Sequence, residues 1–456
     1  MIQSPPPPSC KKKTRKKRSS SSLRCGWLGR RVTFGSGQHV SVGQVRHGAV
    51  SDDARILGLM RISGLCLSFL LLICALLLQF ISAAQSPKAP AKNQYLAFAG
   101  TYTTKTASKG IYAFRYDVAT GKLIALGVAA ETTDPSFLVI HPNGKYLYAV
   151  NEAGKASTVS AFALDKATGH LSLLNQLSAL GEDPCYISFD RTGHYVFVAN
   201  YTSGNVVVFP LGSDGKLGAA TANVRDEGTV GPNKERQDGP HAHWIEPTLN
   251  NLFVQVADLG LDRVSIYKFD AANGSFTPSD SPLVGHHYTN TLAATLNPGT
   301  GPRHIALSQS ERFMYVLGEL QSTVTVFHYD IREGDVEIQR VSTLPKGFSG
   351  RNDAAEIAIR PNGKFLYVSN RGHDSIAVFA IDGASGKLTS KGYVPTGGKE
   401  PRHFAIDPTG NYLLAENQFS DSIVTFRIDP ATGQLTPTGD IATVPSPVDL
   451  VFLAAD

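Results

Sequence analysis

Apolar residues fall in short runs along most of this chain, and the runs are grouped. In one group Ile305, Ala306 and Leu307 lead into a polar turn, Ser308 to Arg312, and then into a second run, Phe313 to Leu317. Two such runs joined by a turn read as an up-and-down hairpin. A third, alternating run follows from Thr323 to Tyr329. In most groups a Gly-Lys-Leu or similar turn then leads to a fourth. Aligned on a proline, the group recurs at Asp134-Pro135-Ser136-Phe137, Asp183-Pro184-Cys185-Tyr186, Gly239-Pro240-His241-Ala242, Gly301-Pro302-Arg303-His304 and Glu400-Pro401-Arg402-His403. Asp353-Ala354-Ala355-Glu356 keeps the frame without proline, and Ser446-Pro447-Val448-Asp449 begins a seventh copy that the chain end cuts short.

The intervals are 49, 56, 62, 52, 47 and 46 residues. Four short antiparallel strands per unit at this period predict β-propeller blades. The third strands are expected at Thr158 to Leu164, Asn205 to Leu211, Arg263 to Phe269, Thr323 to Tyr329, Ser375 to Ile381 and Ser422 to Ile428. The last copy supplies only a first strand, Val448 to Leu453, while the body opens with a second (Tyr95 to Ala99) and a third (Gly110 to Tyr116). The expectation is an all-β, seven-bladed β-propeller over 94–456, with one blade closed by strands from both termini and no helix of note. Closure leaves no open sheet edge.

The stretch before the repeats is of another kind. Four prolines (5–8) and seven cations between Lys11 and Arg18 cannot bury a core, so residues 1–59 read as a disordered basic extension. Met60-Arg61, the apolar run Ile62 to Ile81 and the small residues Ser82-Ala83-Ala84 have the form of a secretory signal peptide over 60–84, followed by a linker at 85–93. An uncleaved anchor is the rival, since a run of about 20 apolar residues can span a bilayer. Cleavage implies a periplasmic or secreted protein with no stable membrane insertion.

The leader also changes how the charge is read. It holds 13 of the 43 Lys+Arg and 2 of the 38 Asp+Glu, so the rest of the chain is net acidic despite the overall +5. That argues against a nucleic-acid partner. Four of the five cysteines precede residue 85, which leaves Cys185 without an internal disulfide partner.

In a blade the start of the first strand and the end of the second lie together at one end of the channel. The first set is Ser136, Cys185, His241, Arg303, Ala355, Arg402 and Val448; the second is Glu152, Tyr201, Leu259, Glu319, Arg371 and Asn417. Arg303, Arg371 and Arg402 converging there favour an anionic ligand, and His241 with Glu319 can supply acid and base. The bland alternatives are an Arg303–Glu319 salt bridge across a hairpin, and Arg402 and His403 bonded to loop carbonyls. His241 and His243, at i and i+2, face one side of a strand but lack further ligands at zinc spacing. His286-His287, in the longest insertion, is expected at the surface. No Walker loop, dinucleotide fingerprint or Gly-x-Ser-x-Gly elbow is present. No metal or cofactor is expected.

Gly100-Thr101-Tyr102-Thr103 with Gly110-Ile111-Tyr112, Gly239-Pro240-His241, Gly301-Pro302-Arg303-His304 through Glu319-Leu320, Ser369-Asn370-Arg371 and Glu400-Pro401-Arg402 together resemble the lactonase family of seven-bladed propellers. That family includes the propeller-type 6-phosphogluconolactonase and the carboxymuconate-lactonizing enzyme. The resemblance covers roughly 94–454 and implies catalytic residues at His241, Arg303, Glu319 and Arg371. Arg402, His243, Glu152 and Tyr201 are expected to bind substrate. It implies a small anionic lactone as substrate, hydrolysed at its ester; a monomer is expected. Two other readings stand beside it: a propeller that binds without catalysis, and a lactonizing isomerase of the muconate type.

Overall fold

The computed structural model describes residues 94–278, 292–329 and 335–455. The expected extension (1–59), signal peptide (60–84), linker (85–93) and His286-His287 lie outside the described residues. Seven antiparallel sheets are present, each built outward from an innermost strand. Those innermost strands are Pro135–Ile140, Pro184–Phe189, Ala242–Pro247, Pro302–Leu307, Asp353–Ile359, Pro401–Ile406 and Pro447–Ala454. The last belongs to blade I, where it pairs with Gln94–Thr101 from the other end of the chain. Tyr95 sits opposite Ala454 and Thr101 opposite Pro447. Blades II to VII follow in chain order.

The expected third strands are found within one residue at each end: Thr158–Leu164, Asn205–Pro210, Arg263–Asp270, Thr323–His328, Ser375–Ile381 and Ser422–Ile428. Blade IV carries an unforeseen fifth strand, Leu292–Thr295, against Arg263–Asp270. Helix among the described residues is limited to two single 3-10 turns, Gly154–Ala156 and Gln418–Ser420.

Burial explains the two kinds of strand pattern. A middle strand is covered on both faces by neighbouring blades, so Tyr146–Asn151 is apolar and buried almost throughout. An outermost strand meets water on one face, so Leu435–Thr443 alternates. Clusters between consecutive blades, such as Tyr148, Val150, Ile187 and Val198, join into a ring-shaped core. The Gly-Lys-Leu turn has a specific task there. Gly215, Gly386 and Gly433 adopt positive φ, where a Cβ would collide with Tyr146, Phe313 and Phe365 of the preceding blade. Their carbonyls accept hydrogen bonds from Tyr148, Tyr315 and Tyr367 hydroxyls at 2.7, 3.0 and 2.9 Å. The turn thus stitches one blade to the next.

Candidate active site

A register slip near the start of every innermost strand builds the channel collar. In blade II Pro135 faces Asn151 and Phe137 faces Val150, leaving Ser136 as an extra residue. The same slip leaves Cys185, His243 and Arg402 unpaired, and in blade I Val448. In blades V and VI it spans Arg303-His304 and Ala355-Glu356. Such bulges re-aim side chains; here they carry the residue after the strand start into the channel. Blade IV departs from the proline alignment. Its strand begins at Ala242, two residues after Pro240, so His243 takes the collar position expected for His241.

A cavity of about 190 Å³ opens at this end. Of the expected residues, Glu152, Tyr201, His243, Glu319, Arg371 and Arg402 line it together. Arg303 lies just beneath, in a narrow space that also touches Glu152, Cys185 and Arg402. His241 does not line the cavity. Its ring stacks on Tyr201 at 4.6 Å, and its nitrogens face the Tyr201 carbonyl and Asp238 Oδ1, each at 2.9 Å. Both partners are acceptors, so a neutral ring satisfies only one of them.

Glu319 is the hub. Its Oε1 accepts from Arg236 Nη2 at 2.7 Å and pairs with Arg371 Nη2 at 3.0 Å; Oε2 lies 3.3 Å from Arg303 Nε. The Arg371 and Arg303 contacts are ion pairs without hydrogen-bond geometry. Burial opposes ionisation of Glu319, but Arg371, Arg303 and Arg236 outweigh it and bring the carboxyl down to about 2. Arg303, wholly enclosed, is lowered to about 10 by burial and by Arg371 and Arg402, and also donates to the Ala355 carbonyl. The expected Arg303–Glu319 bridge therefore exists, as one arm of a three-arginine clamp.

Other groups are freer. Arg402 lies over the Tyr102 ring, 5.3 Å from its centroid, and makes no ion pair or hydrogen bond through its guanidinium among the described residues. It does not bond loop carbonyls as the bland reading had it. Glu152 accepts from the Tyr102 hydroxyl at 2.6 Å through Oε2. His243 Nδ1 is 3.6 Å from Cys185 Sγ, and no hydrogen bond engages its Nε2 among the described residues. Burial, with Arg303 and His304 beside it, holds this imidazole well below its ordinary range, so it is neutral. Burial likewise pushes the Cys185 thiol up, so it is no thiolate.

A model of the family described as "Lactonase, 7-bladed beta-propeller" matches residues 96–452. The chain belongs to this lactonase family. A 6-phosphogluconolactonase of Bacillus subtilis is 37% identical over 312 residues, covering 68% of this chain and 84% of that one. A 6-phosphogluconolactonase of Formosa agariphila is 35% identical over 67% of this chain and 85% of its own. The solved periplasmic gluconolactonase of Pseudomonas aeruginosa superposes with a TM-score of 0.73 at 32% identity, over 80% of this chain and all of that one.

Within this lactonase fold a second polar layer lies under the cavity, and the sequence reading missed it. His403 Nδ1 bonds Glu416 Oε2 at 3.0 Å, and its Nε2 lies 3.4 Å from Asp449 and 3.6 Å from Glu356. His403 thus meets carboxylates, not the loop carbonyls expected. Burial opposes its charge, but Glu356, Asp449 and Glu416 raise it to about 9. His304 Nδ1 donates to Glu356 Oε2 at 2.8 Å; burial foremost lowers His304 to about 4, so it donates as a neutral ring. Phe137 and Tyr186, 4.4 Å apart, pack edge-on with these histidines and seal the floor. The signal was the column one step along the repeat frame: Phe137, Tyr186, Trp244, His304, Glu356, His403 and Asp449. Asp353, the first residue of its frame, also lines the cavity, and Arg236 and Arg351, from outside that frame, join it.

Proposed function

We propose that this propeller is a lactonase, a carboxylic ester hydrolase acting on a small anionic lactone of the 6-phosphogluconolactone type. The observation that carries the reading is the convergence, in one small cavity, of an unpaired guanidinium (Arg402), a neutral imidazole (His243) and a carboxylate (Glu152). The activities named for the Bacillus and Formosa relatives support the same class.

The chemistry follows from the contacts. If Nδ1–H of His243 points to Cys185 Sγ, Nε2 presents its lone pair to the cavity. There it takes a proton from water as the oxygen attacks the lactone carbonyl carbon. The charge that develops on the carbonyl oxygen falls to the guanidinium groups of Arg402 and Arg371, both of which line the cavity. Collapse breaks the ring C–O bond, and the imidazolium returns its proton to the departing alkoxide. The product is an open hydroxy acid, which ionises to solvent. A bound anion offsets the arginines that depress His243 and so strengthens it as a base. Glu319 stays ionised and holds Arg303 and Arg371 in place. His241 fixes the Tyr201 backbone at the rim. Three arginines engage the Glu319 carboxylate, whereas no hydrogen bond engages His243 Nε2 among the described residues, which favours His243 over Glu319 as the base.

We place the protein outside the cytoplasm, on the form of residues 60–84 and the likeness to a periplasmic enzyme. The test is a panel of lactones, phosphorylated and not, assayed by proton release with the purified full chain. Hydrolysis of none above the buffer rate would leave a binding propeller as the better reading.

A further inference from the structure

Blades meet at the mouth face through links from one outermost strand to the next innermost strand. Most are short: residues 132–134, 179–183, 396–400 and 444–446. Of the links described throughout, two are long, 226–241 between blades III and IV and 343–352 between blades V and VI. Each of these long links brings one arginine to the cavity, Arg236 and Arg351.

The first link is built to hold its arginine still. Gln237, 1% exposed, donates to the Leu259 carbonyl at 2.9 Å, and its backbone N–H donates to Asn233 at 2.7 Å. Gly231 N–H donates to Gly260 at 2.9 Å. Arg236 Nη2 then reaches Glu319 and, at 3.2 Å, the Tyr201 hydroxyl, while Nη1 stops 3.8 Å from Asp353 without a hydrogen bond. Arg351 binds the other oxygen of Asp353 through Nε and Nη2 at 3.1 and 2.7 Å, and its side chain is 85% exposed. Arg371 Nε donates to the Asp353 carbonyl at 3.2 Å.

The charge count is uneven. Among the described residues, Arg236, Arg303, Arg351 and Arg371 share only Glu319 and Asp353 as carboxylates within ion-pair distance. The excess is two positive charges. In each of Arg236, Arg351 and Arg371, Nη1 has no hydrogen-bond partner among the described residues. Guanidinium nitrogens left over in this way suit the oxygens of a phosphate, which carries about −1.5 to −2 at neutral pH. A single carboxylate would offset only half of the excess.

We propose that Arg236 and Arg351, carried on these two long links, form an anion subsite at the mouth. It takes a doubly charged group such as a phosphate monoester, apart from the ester that reacts at His243 and Arg402. It thereby sets the preference for lactones that carry such a group. This rests on the lactonase reading.

The test compares a hexose lactone with its terminally phosphorylated form, using the full chain. The wild type is expected to prefer the phosphorylated lactone in kcat/KM. Arg236→Gln should cut that preference about 10- to 100-fold, the loss of charge-assisted hydrogen bonds. Arg351→Gln should cut it less, because its side chain stands in water. Arg236→Lys, which keeps the charge but not the fork, should fall between, and thermal midpoints identify any variant that fails to fold. Inorganic phosphate should inhibit competitively in the wild type and more weakly in both Gln variants. No wild-type preference, or a ratio unmoved by Arg236→Gln in a folded protein, overturns the subsite. If no lactone is hydrolysed at all, the lactonase reading fails instead. Calorimetric titration of inorganic phosphate then decides the subsite alone, and absent binding in the wild type overturns it.

Discussion

One residue step along two innermost strands separates layers of opposite character. Arg303 and Arg402 belong to the cavity collar, where guanidinium groups outnumber carboxylates. His304 and His403, the next residues, belong to the layer below, where Glu356, Glu416 and Asp449 surround rings of which only His403 is held cationic. The upper layer has an opening and unpaired donors. The lower has aromatic lids and hydrogen-bonded carboxylates. Binding and chemistry need donors left unsatisfied until a ligand arrives, whereas a permanent core needs every charge answered. The bulge lets one strand serve both needs, since it sends consecutive side chains to different depths.

The largest expected effect breaks the upper layer. His243→Gln should lower kcat about 10²- to 10⁴-fold, the usual worth of a general base, with a thermal midpoint near that of the parent. Steady-state kinetics paired with a melting curve checks both halves. Retained turnover would return the role of base to His241 or Glu319.

His403→Gln should do the reverse. Removing the cation from among three buried carboxylates costs about 3–5 kcal/mol of stability, read from denaturant midpoints, while kcat per folded molecule stays within a few-fold. A stable variant with lost activity would show that the lower layer takes part in the reaction.

The smallest effect is a pH dependence of stability in which two sets of buried groups oppose each other. His403, Glu416 and Asp449 are raised, to about 9, 7 and 6, so the folded state binds their protons more tightly than the unfolded chain does. Burial leads for the two acids and the surrounding carboxylates for His403. Their contribution is complete at low pH and is lost as pH rises through these values. Glu319 is lowered to about 2, as is Glu356, so their contribution is present above the ordinary glutamate range and is lost as pH falls toward 2. Stability should therefore peak at mildly acidic pH and decline on both sides. In His403→Gln the alkaline decline should flatten while the acid limb persists. Urea midpoints across pH 3–10 measure this.

Most of the architecture could be read from the chain because a propeller writes its core locally. Each middle strand is buried on both faces and each turn must fit a neighbour, so runs and Gly-Lys-Leu turns recur with little noise. The closing blade was legible for the same reason, in the lone strand from Val448. The collar was legible wherever proline starts the strand. It failed at blade IV, where Pro240 stands two residues early and the frame pointed to His241 rather than His243. Arg236 and Arg351 were illegible because their links obey no period. Their positions depend on contacts that no period specifies, that of Gln237 with Leu259 and those of the two arginines with Asp353. The lower layer was written in the frame but one column over, and isolated histidines and acids beside apolar residues give no sign of their pairing.

The closing blade also fixes which way the pit faces. Thr101 and Pro447 lie at the mouth, while Tyr95 and Ala454 pair at the other end of the same strands. Both ends of the propeller therefore leave from the base, the side away from the pit. A bead, a fused domain or a surface attached at residue 94 or 455 would sit behind the ring and leave the pit facing solvent. Immobilisation of the propeller through residue 94 or 455 is thus compatible with substrate entry.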